Sequence, residues 1–394
     1  MRSDFIPGFG TSTDGQPMPP IRILIVDDSP VIRKVVSDAL KVDPAFEVVG
    51  TAGDGKIALA KLPRLQPDLV ILDLAMPVMS GMETLVEIRK LHAKLPVIIF
   101  STLSVRGGAD TLEALAMGAS DFATKPSDRG SLGATVEAIQ QDLIPKIKAL
   151  CGLRRVPNAS HSQNLPHVTF AAKLRSPSRI DIVAIGTSTG GPKALAEVIP
   201  HLPAGFPVPV VIVQHMPASF TALLAERLSR NAAISVAEGS VGAMLSGAQA
   251  WIAPGNFHMT VISRATVAAG PGWRLALNQN PPENSCRPAV DVLFRSVAAV
   301  GGSHVLGVVM TGMGADGVLG ARAIREAGGE VIVQDEESSV VWGMPGAVCA
   351  AGQADAVYPL SQLAGEITRR VLQNRVLQAA AASQSFSKVG TLIK

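Results

Sequence analysis

Short apolar runs alternate with stretches of helical period along much of this chain. In the first part, strands and helices are predicted in turn at Ile21–Val26, Val31–Leu40, Val70–Leu72, Met82–Leu91 and Val97–Phe100. Such alternation is typical of βα units and a parallel sheet. Later apolar runs predict a second parallel sheet, with strands at Ile182–Ile185, Val208–Val213, Ala250–Ala253, Val305–Met310 and Val331–Val333.

Between the two blocks the pattern is lost. Residues Leu153–Arg179 are rich in Arg, Pro, Asn, Ser, His and Gln, which predicts a linker between two domains. We therefore expect one α/β domain at 21–145 and a second at 180–373. The ends of the chain, 1–20 and 379–394, lack periodicity and are predicted to be flexible.

Composition and charge restrict the class of protein. The chain has 394 residues, of which 47% are hydrophobic and 17% charged, enough apolar material for two packed cores. It has no apolar run of membrane-spanning length and no apolar signal segment at its start, so we expect a cytoplasmic protein without membrane insertion. A net charge of +3, with no helix-turn-helix or zinc-finger pattern, argues against nucleic acid as a partner.

The cysteines are few and scattered. Cys151, Cys286 and Cys349 do not have the spacing of a disulfide framework or a zinc site. We expect all three to be reduced thiols with structural roles.

Carboxylates follow two predicted strands of the first block. Asp27 and Asp28 come directly after the first strand, and Asp73 follows the run that ends at Leu72. In an open parallel sheet, ligands bind at the carboxyl ends of the strands. Three acids there would repel one another unless a hard cation lay between them, and Mg²⁺ prefers carboxylate oxygens. The pattern predicts a metal-assisted phosphoryl acceptor.

The end of the strand Val97–Phe100 and the segment Phe122–Pro126 supply groups that suit a phosphoryl ligand. Ser101 and Thr102 offer hydroxyls, and Lys125 offers a cation. Each residue alone is more often a cap, a turn residue or a solvated lysine, so the prediction depends on the ordered set.

This ordered set resembles the receiver domain of two-component response regulators over residues 21–145, which implies a flavodoxin-like parallel sheet. The resemblance implies that Asp73 accepts the phosphoryl group. It further implies Mg²⁺ ligands at Asp27, Asp28, Asp73 and the carbonyl of Ala75, a switch hydroxyl at Ser101, a switch aromatic at Phe122 and a phosphate-pairing lysine at Lys125. The chain departs from the family at Ser80-Gly81, where Asp-Gly is frequent, and at Ala75, where an acidic or amide residue is common.

A serine lies on a glycine-rich turn directly after the first strand of the second block. Gly186-x-Ser188-x-Gly190 has the spacing of a strand-to-helix nucleophile elbow, whose helix N–H groups face developing negative charge. A serine nucleophile needs a base and a carboxylate that orients the base. His215 and Asp316 each follow another strand of this block, whereas the rival base His258 is more readily given a structural role.

The same turn could instead hold a phosphate. It lacks the lysine spacing of a Walker motif and the glycine spacing of a dinucleotide site, which favours the nucleophile. The chain order Ser, His, Asp differs from the Ser, Asp, His order of α/β-hydrolases, so the elbow spacing does not predict that fold.

Six motifs of the second block resemble the signature of the CheB family of chemotaxis protein-glutamate methylesterases, over residues 180–373. In order they are Ile185–Pro192, Val213–Pro217, Ile252–Gly255, Arg287–Phe294, Thr311–Gly317 and Val341–Val348.

The resemblance implies a second doubly wound parallel-sheet α/β domain without a cofactor in its esterase site. It implies Ser188 as nucleophile, His215 as general base and Asp316 as its orienting acid, with the Met313 N–H as a candidate oxyanion donor. Thr187 stands where alanine is usual. Arg287 and Asp291 are either structural ion-pair partners or substrate contacts, and we favour the structural role.

The resemblance also implies substrates and regulation. The substrates would be glutamate γ-methyl esters on methylated chemoreceptors, which release methanol, and receptor glutamines, which are deamidated. A chemotaxis histidine kinase would phosphorylate Asp73, and the unphosphorylated receiver would restrict access to the esterase site. On the residues alone, a nucleotide-binding regulator and a non-catalytic receptor-binding adaptor stay open as alternatives.

Overall fold

The computed structural model describes residues 19–102, 104–125, 132–152, 179–264, 272–373 and 375. Most of the predicted linker and the greater part of both predicted flexible ends lie outside these residues. The described residues form two compact units, each built on a parallel sheet.

The first unit contains a five-stranded sheet. Its strands are β1 (Ile21–Val26), β2 (Phe46–Ala52), β3 (Leu69–Leu72), β4 (Val97–Ser101) and β5 (Asp121–Thr124). The helices of this unit are α1 (Pro30–Leu40), α2 (Gly55–Leu65), α3 (Gly81–Leu91) and α5 (Leu132–Gly152), whereas residues 104–116, which form α4 (Val105–Ala116), group with the second unit. The strands are all parallel, in the order β2-β1-β3-β4-β5, which is the flavodoxin-like order that the resemblance predicted.

Strand β2 was not predicted from the sequence. Its sequence mixes apolar with polar and small residues, and most of its side chains are half-buried because it lies at the edge of the sheet. The central strands β1 and β3, by contrast, are buried along almost their whole length, and only Arg22 interrupts their apolar runs.

The described residues of the second unit form nine strands. They are β6 (Ile182–Thr187), β7 (Val210–Gln214), β8 (Ser235–Glu238), β9 (Gln249–Ile252), β10 (His258–Arg264), β11 (Gly272–Asn278), β12 (Val305–Val309), β13 (Glu330–Gln334) and β14 (Ala356–Tyr358). Seven of them form one parallel sheet in the order β14-β13-β12-β6-β7-β9-β8. Its helices are α6 (Gly191–Val198), α7 (Ala218–Asn231), α8 (Val290–Gly301), α9 (Val318–Glu326), α10 (Met344–Ala350) and α11 (360–373).

The second unit also contains an antiparallel pair that the sequence analysis missed. Strands β10 and β11 form a separate two-stranded sheet. Met259 and Val261 are buried, as are Trp273 and Leu275 on the partner strand, while the residues between them are more exposed. This alternation is typical of an antiparallel sheet with one buried face, and a search for continuous apolar runs does not detect it.

The central strands carry the core of the second unit, where β6, β7 and β12 are buried at every position. Because neighbouring strands are parallel, their carboxyl ends lie at one edge of the sheet. No helix among the described residues is both long enough and apolar enough to cross a membrane.

Candidate active site

The three predicted carboxylates of the first unit come together at the carboxyl edge of its sheet. Asp27, Asp28 and Asp73 can each place a carboxylate oxygen within 4.8 Å of the other two. Asp27 and Asp73 are buried and Asp28 is exposed. One acid thus faces water while two are held against the sheet.

Lys125 lies against the two buried acids. Its Nζ is 2.7 Å from Asp27 Oδ2 and 3.0 Å from Asp73 Oδ2. Burial raises the pKa of Asp27, an effect that Lys125 partly offsets. Burial also disfavours the Lys125 ammonium, but its hydrogen bonds and attraction to the two carboxylates outweigh burial and raise the pKa of the lysine.

The carboxylate cluster fits a hard divalent cation. All its donor atoms are carboxylate oxygens, and the exposed Asp28 leaves one side open to the water that Mg²⁺ retains in proteins. A cation held by Asp27, Asp28 and Asp73 would offset the charge of a phosphoryl group on Asp73.

The other predicted receiver residues lie near the same strand ends. Ser101 is the last residue of β4 and is buried, and its carbonyl accepts a hydrogen bond from the Lys125 N–H at 2.7 Å. Phe122 is buried in β5, with Lys146 Nζ 5.1 Å from its ring centroid. Ala75 is exposed, two residues after Asp73. Their roles stay predictions.

Ser80, a departure from the receiver pattern, has a local structural role. It is the N-cap of α3, where its hydroxyl accepts from the Glu83 N–H while the Glu83 carboxylate accepts from the Ser80 N–H. This reciprocal pair is a capping box, so serine stabilises the start of α3.

Ser188 lies on the turn between β6 and α6. The turn is held by a hydrogen bond from the Ser188 N–H to the Thr311 carbonyl at 3.0 Å, and from the Gly191 N–H to the Ser188 carbonyl at 2.8 Å. Gly190, the N-cap of α6, has a φ of 78°, a left-handed conformation that favours glycine. Ser188 itself is half-buried, and the part of the chain that the structure describes provides no hydrogen-bond partner for its hydroxyl.

Thr187, the departure beside the nucleophile, also supports this turn. Its hydroxyl is fully buried and donates to the Thr311 carbonyl at 3.0 Å. The same carbonyl accepts from the Ser188 N–H, so the extra hydroxyl attaches the end of β6 to the segment after β12.

His215 and Asp316 form the predicted pair. His215 Nε2 lies 2.8 Å from Asp316 Oδ2. A carboxylate can only accept, so Nε2 carries a hydrogen and, in the neutral ring, Nδ1 holds the lone pair. Nδ1 is therefore the nitrogen of His215 that can take a proton from a serine.

Asp316 is held by three further hydrogen bonds. Its carboxylate accepts from the N–H groups of Val290 and Asp291, at 2.7 and 2.9 Å, and from Asn284 Nδ2 at 2.9 Å. Val290 and Asp291 begin α8, so the acid lies at a helix N-terminus, where negative charge is favoured. Burial alone would raise the pKa of Asp316, but the bonds to His215 and to the backbone lower it.

Asp291 provides the reciprocal support. It is buried, and its Oδ1 accepts from the N–H groups of Gly317 and Gly320 at the start of α9, at 3.0 and 2.6 Å. Arg287 instead donates to Asn256 Oδ1 and to the carbonyls of Gln279 and Asn280. The expected structural role of both residues agrees with these contacts, but the expectation of an ion pair between them is wrong, because their side chains bond to different partners.

Sequence reasoning missed a thiol at the base. Cys286 Sγ lies 3.6 Å from His215 Nδ1. Burial lowers the pKa of His215, but hydrogen bonds to Asp316 and Cys286 outweigh it and raise the pKa to about 10. Cys286 is therefore more than the inert structural thiol that its lone position in the sequence suggested.

A tight turn places this thiol. Asn284 and Ser285 both have positive φ, 52° and 60°, and Glu283 pairs with Cys286 across them. The 283–286 turn brings Asn284 to Asp316 and Cys286 to His215, and no residue spacing in the sequence signals either contact. Non-glycine residues in this conformation are uncommon and concentrate at functional sites.

Met313 and His258 differ in how their polar groups are used. Within the described parts of the chain, no acceptor takes the Met313 N–H, which leaves it available to an oxyanion. His258 is buried, with Nε2 3.1 Å from the Pro281 carbonyl and Nδ1 accepting from the Ala289 N–H. Both ring nitrogens of His258 are thus engaged in structural contacts.

Comparisons with known proteins identify the family of this chain. The CheB methylesterase model matches residues 183–367, and the response regulator receiver domain model matches residues 23–137. A protein-glutamate methylesterase/protein-glutamine glutaminase of Trichodesmium erythraeum is 50% identical over 90% of this chain and 100% of that protein. A protein of the same name from Nocardioides sp. is 48% identical over 91% of this chain and 97% of its own length.

Among solved structures, the Thermotoga maritima CheB methylesterase catalytic domain is 38% identical to this chain, with a TM-score of 0.46. The match covers 49% of this chain and 99% of the Thermotoga domain. The two full-length relatives establish the membership that the sequence motifs predicted. The chain belongs to the CheB family of protein-glutamate methylesterases/protein-glutamine glutaminases.

Proposed function

We propose that this chain is a serine esterase that hydrolyses glutamate γ-methyl esters on methylated chemoreceptors and deamidates receptor glutamines. The names of its full-length relatives support the substrate class. The observation that carries the mechanism is the 2.8 Å contact between His215 and Asp316, beside the Ser188 turn. An ionised Asp316 fixes the Nε2–H tautomer and directs Nδ1 toward the role of base.

In the proposed reaction, Ser188 Oγ attacks the ester carbonyl while its proton passes to His215 Nδ1. The carbonyl oxygen becomes an oxyanion, for which the Met313 N–H is the candidate donor. When the C–O bond to the methoxy group breaks, His215 returns the proton and methanol leaves. Water, deprotonated by His215, then cleaves the acyl-serine to give glutamate and free Ser188.

Deamidation follows the same steps with ammonia as the leaving group. An amide nitrogen must be protonated before it leaves, so this reaction depends more strongly on the proton that His215 holds.

We further propose that phosphorylation of Asp73 by a chemotaxis histidine kinase controls this activity. The receiver resemblance and the carboxylate cluster beside Lys125 support Asp73 as the acceptor. The phosphoryl group would be held by Lys125 and by a cation on Asp27, Asp28 and Asp73. The unphosphorylated receiver is proposed to restrict access to Ser188.

Methanol release from methylated receptor, measured with and without a small-molecule phosphodonor, tests both proposals. We expect basal release that increases with the phosphodonor, and no increase in Asp73→Asn. A nucleotide-binding regulator or a non-catalytic adaptor would release no methanol. A serine-directed phosphonate would not label either kind of protein.

The access proposal has a separate test. A fragment lacking residues 1–152, shown by circular dichroism to be folded, should release methanol faster than the unphosphorylated full chain. An equal or lower rate would contradict restricted access without affecting the assignment of the esterase.

A further inference from the structure

Gln214 is a buried polar residue between the two candidate catalytic turns. It is the last residue of β7, directly before His215, and its side chain is almost completely buried. In the parallel ladder it pairs with Thr187, the residue before Ser188. It therefore lies at the point where the strands that carry the nucleophile and the base end side by side.

The Gln214 amide connects the two turns. Its Nε2 donates to the Ser188 carbonyl and to the His215 carbonyl, each at 3.0 Å. Both partners are backbone oxygens that can only accept, so the amide must present its NH₂ group to them. The two hydrogen bonds use both hydrogens of this group. One side chain thus connects the backbone of the nucleophile to the backbone of the base.

The opposite side of the amide lies against the start of α6. An added Cβ at Gly191 would lie 1.9 Å from Gln214 Oε1, so the amide packs directly against this glycine. Oε1 is buried, and no donor among the described residues reaches it. Burying such an oxygen costs free energy that an apolar side chain of similar length would avoid, so packing alone does not account for the amide.

We propose that Gln214 is a positioning residue that sets the separation of Ser188 and His215, a role that rests on the proposed function above. The His215 N–H also connects these turns, because it donates to the Thr187 carbonyl at 3.1 Å. That bond restrains the turns at one point, whereas the amide adds restraint at Ser188 itself. Proton transfer is sensitive to small displacements, so this restraint acts on the chemical step.

The test compares Gln214→Met and Gln214→Leu, which keep much of the packing and lose both hydrogen bonds, in the full-length protein. We expect kcat for methanol release to fall about 10- to 100-fold, with KM changed less than about twofold. The thermal unfolding midpoint should stay near that of the parent. The loss of the two hydrogen bonds destabilises the fold, but removal of the unpaired, buried Oε1 offsets this loss. Labelling by a serine-directed phosphonate should slow by a similar factor.

Gln249→Met is the matched control. Gln249 begins β9, and its Oε1 is also buried without a partner among the described residues, but it lies at the amino end of its strand. We expect this variant to keep the parent kcat.

Two results overturn the proposal: a kcat within about twofold of the parent in either Gln214 variant that folds, or an equal loss in Gln249→Met. A different result would remove the proposed function itself, namely methanol release that persists in Ser188→Ala. The two failures are therefore distinguishable.

Discussion

The two strand-end sites hold negative charge in different ways. In the first unit, Asp27, Asp28 and Asp73 lie together with one ammonium, Lys125, against them. In the second unit, Asp316 is a single buried carboxylate that accepts hydrogen bonds from His215, Asn284 and two backbone N–H groups. The first site has more carboxylates than ammonium groups and so carries excess negative charge. In the second site, hydrogen bonds stabilise and orient a single carboxylate.

The difference follows from what each site is proposed to do. Excess charge that faces water attracts a cation and changes when a phosphoryl group is added, which suits a switch. A carboxylate whose acceptor positions are filled keeps one orientation, which suits an acid that must hold a histidine in one tautomer.

The largest expected effect separates the two sites completely. Ser188→Ala should lower kcat on the order of 10⁶-fold, because it removes the hydroxyl on which the acyl intermediate is proposed to form. Phosphorylation of Asp73, measured by phosphoprotein gel, should be unchanged. Conversely, Asp73→Asn should abolish phosphorylation and keep basal methanol release. Methanol release by Ser188→Ala would contradict the assignment of Ser188 as the nucleophile.

Asp316→Asn should have the next largest effect, a fall in kcat of about 10⁴-fold. The amide has nearly the same shape but no longer requires a hydrogen on His215 Nε2, so the base can adopt the wrong tautomer. Steady-state kinetics of methanol release measure the loss. A fall of less than tenfold, in a protein with the parent unfolding midpoint, would show that Asp316 does not orient the base.

A smaller effect concerns pH. Only neutral His215 can accept the proton of the serine. Because the pKa of His215 is raised to about 10, the fraction of neutral ring, and with it kcat/KM, should rise as pH increases through the neutral range. Cys286→Ala removes one of the contacts that raise this pKa, and should move the ascending limb to lower pH. At neutral pH its kcat/KM should then increase, by about tenfold for each unit that the limb moves. An unchanged pH profile in Cys286→Ala would show that the thiol does not act on the base.

The smallest effect is one of stability in the first unit. Ser80→Ala removes the hydroxyl half of the capping box at α3 and should lower the free energy of unfolding by about 1 kcal/mol. Urea denaturation of the full chain, followed in the transition of the first unit, measures this loss. Ser80→Asp, which keeps a capping oxygen, should restore stability, and an equal loss in both variants would contradict the capping role.

The ease of prediction also differs between the sites. Asp27, Asp28 and Asp73 directly follow strands that are almost fully buried, so apolar runs in the sequence already predicted their convergence. Strand β2 and the β10–β11 pair were missed because edge strands and alternating strands lack such runs. These omissions did not affect the prediction of the carboxylate site, because its residues follow β1 and β3.

In the second unit, strand ends predicted Ser188, His215 and Asp316 but not the groups that hold them. Asn284 and Cys286 reach the pair through a turn whose positive φ angles no motif indicated. Gln214 was visible only as a neighbour of His215, because its two carbonyl partners are 26 residues and one residue away in the chain.

Apolar periodicity and chain order were sufficient to predict the two parallel sheets and the polar residues that follow their central strands, because these features depend on local burial and short connections. Only the tertiary structure decided which nitrogen of His215 faces Asp316, how Asp316 and Asp291 lie at two helix N-termini, and where the Cys286 thiol and the Gln214 amide lie. The physical reason is that hydrogen bonds act over about 3 Å, and the partners that meet at that distance come from segments far apart in the sequence.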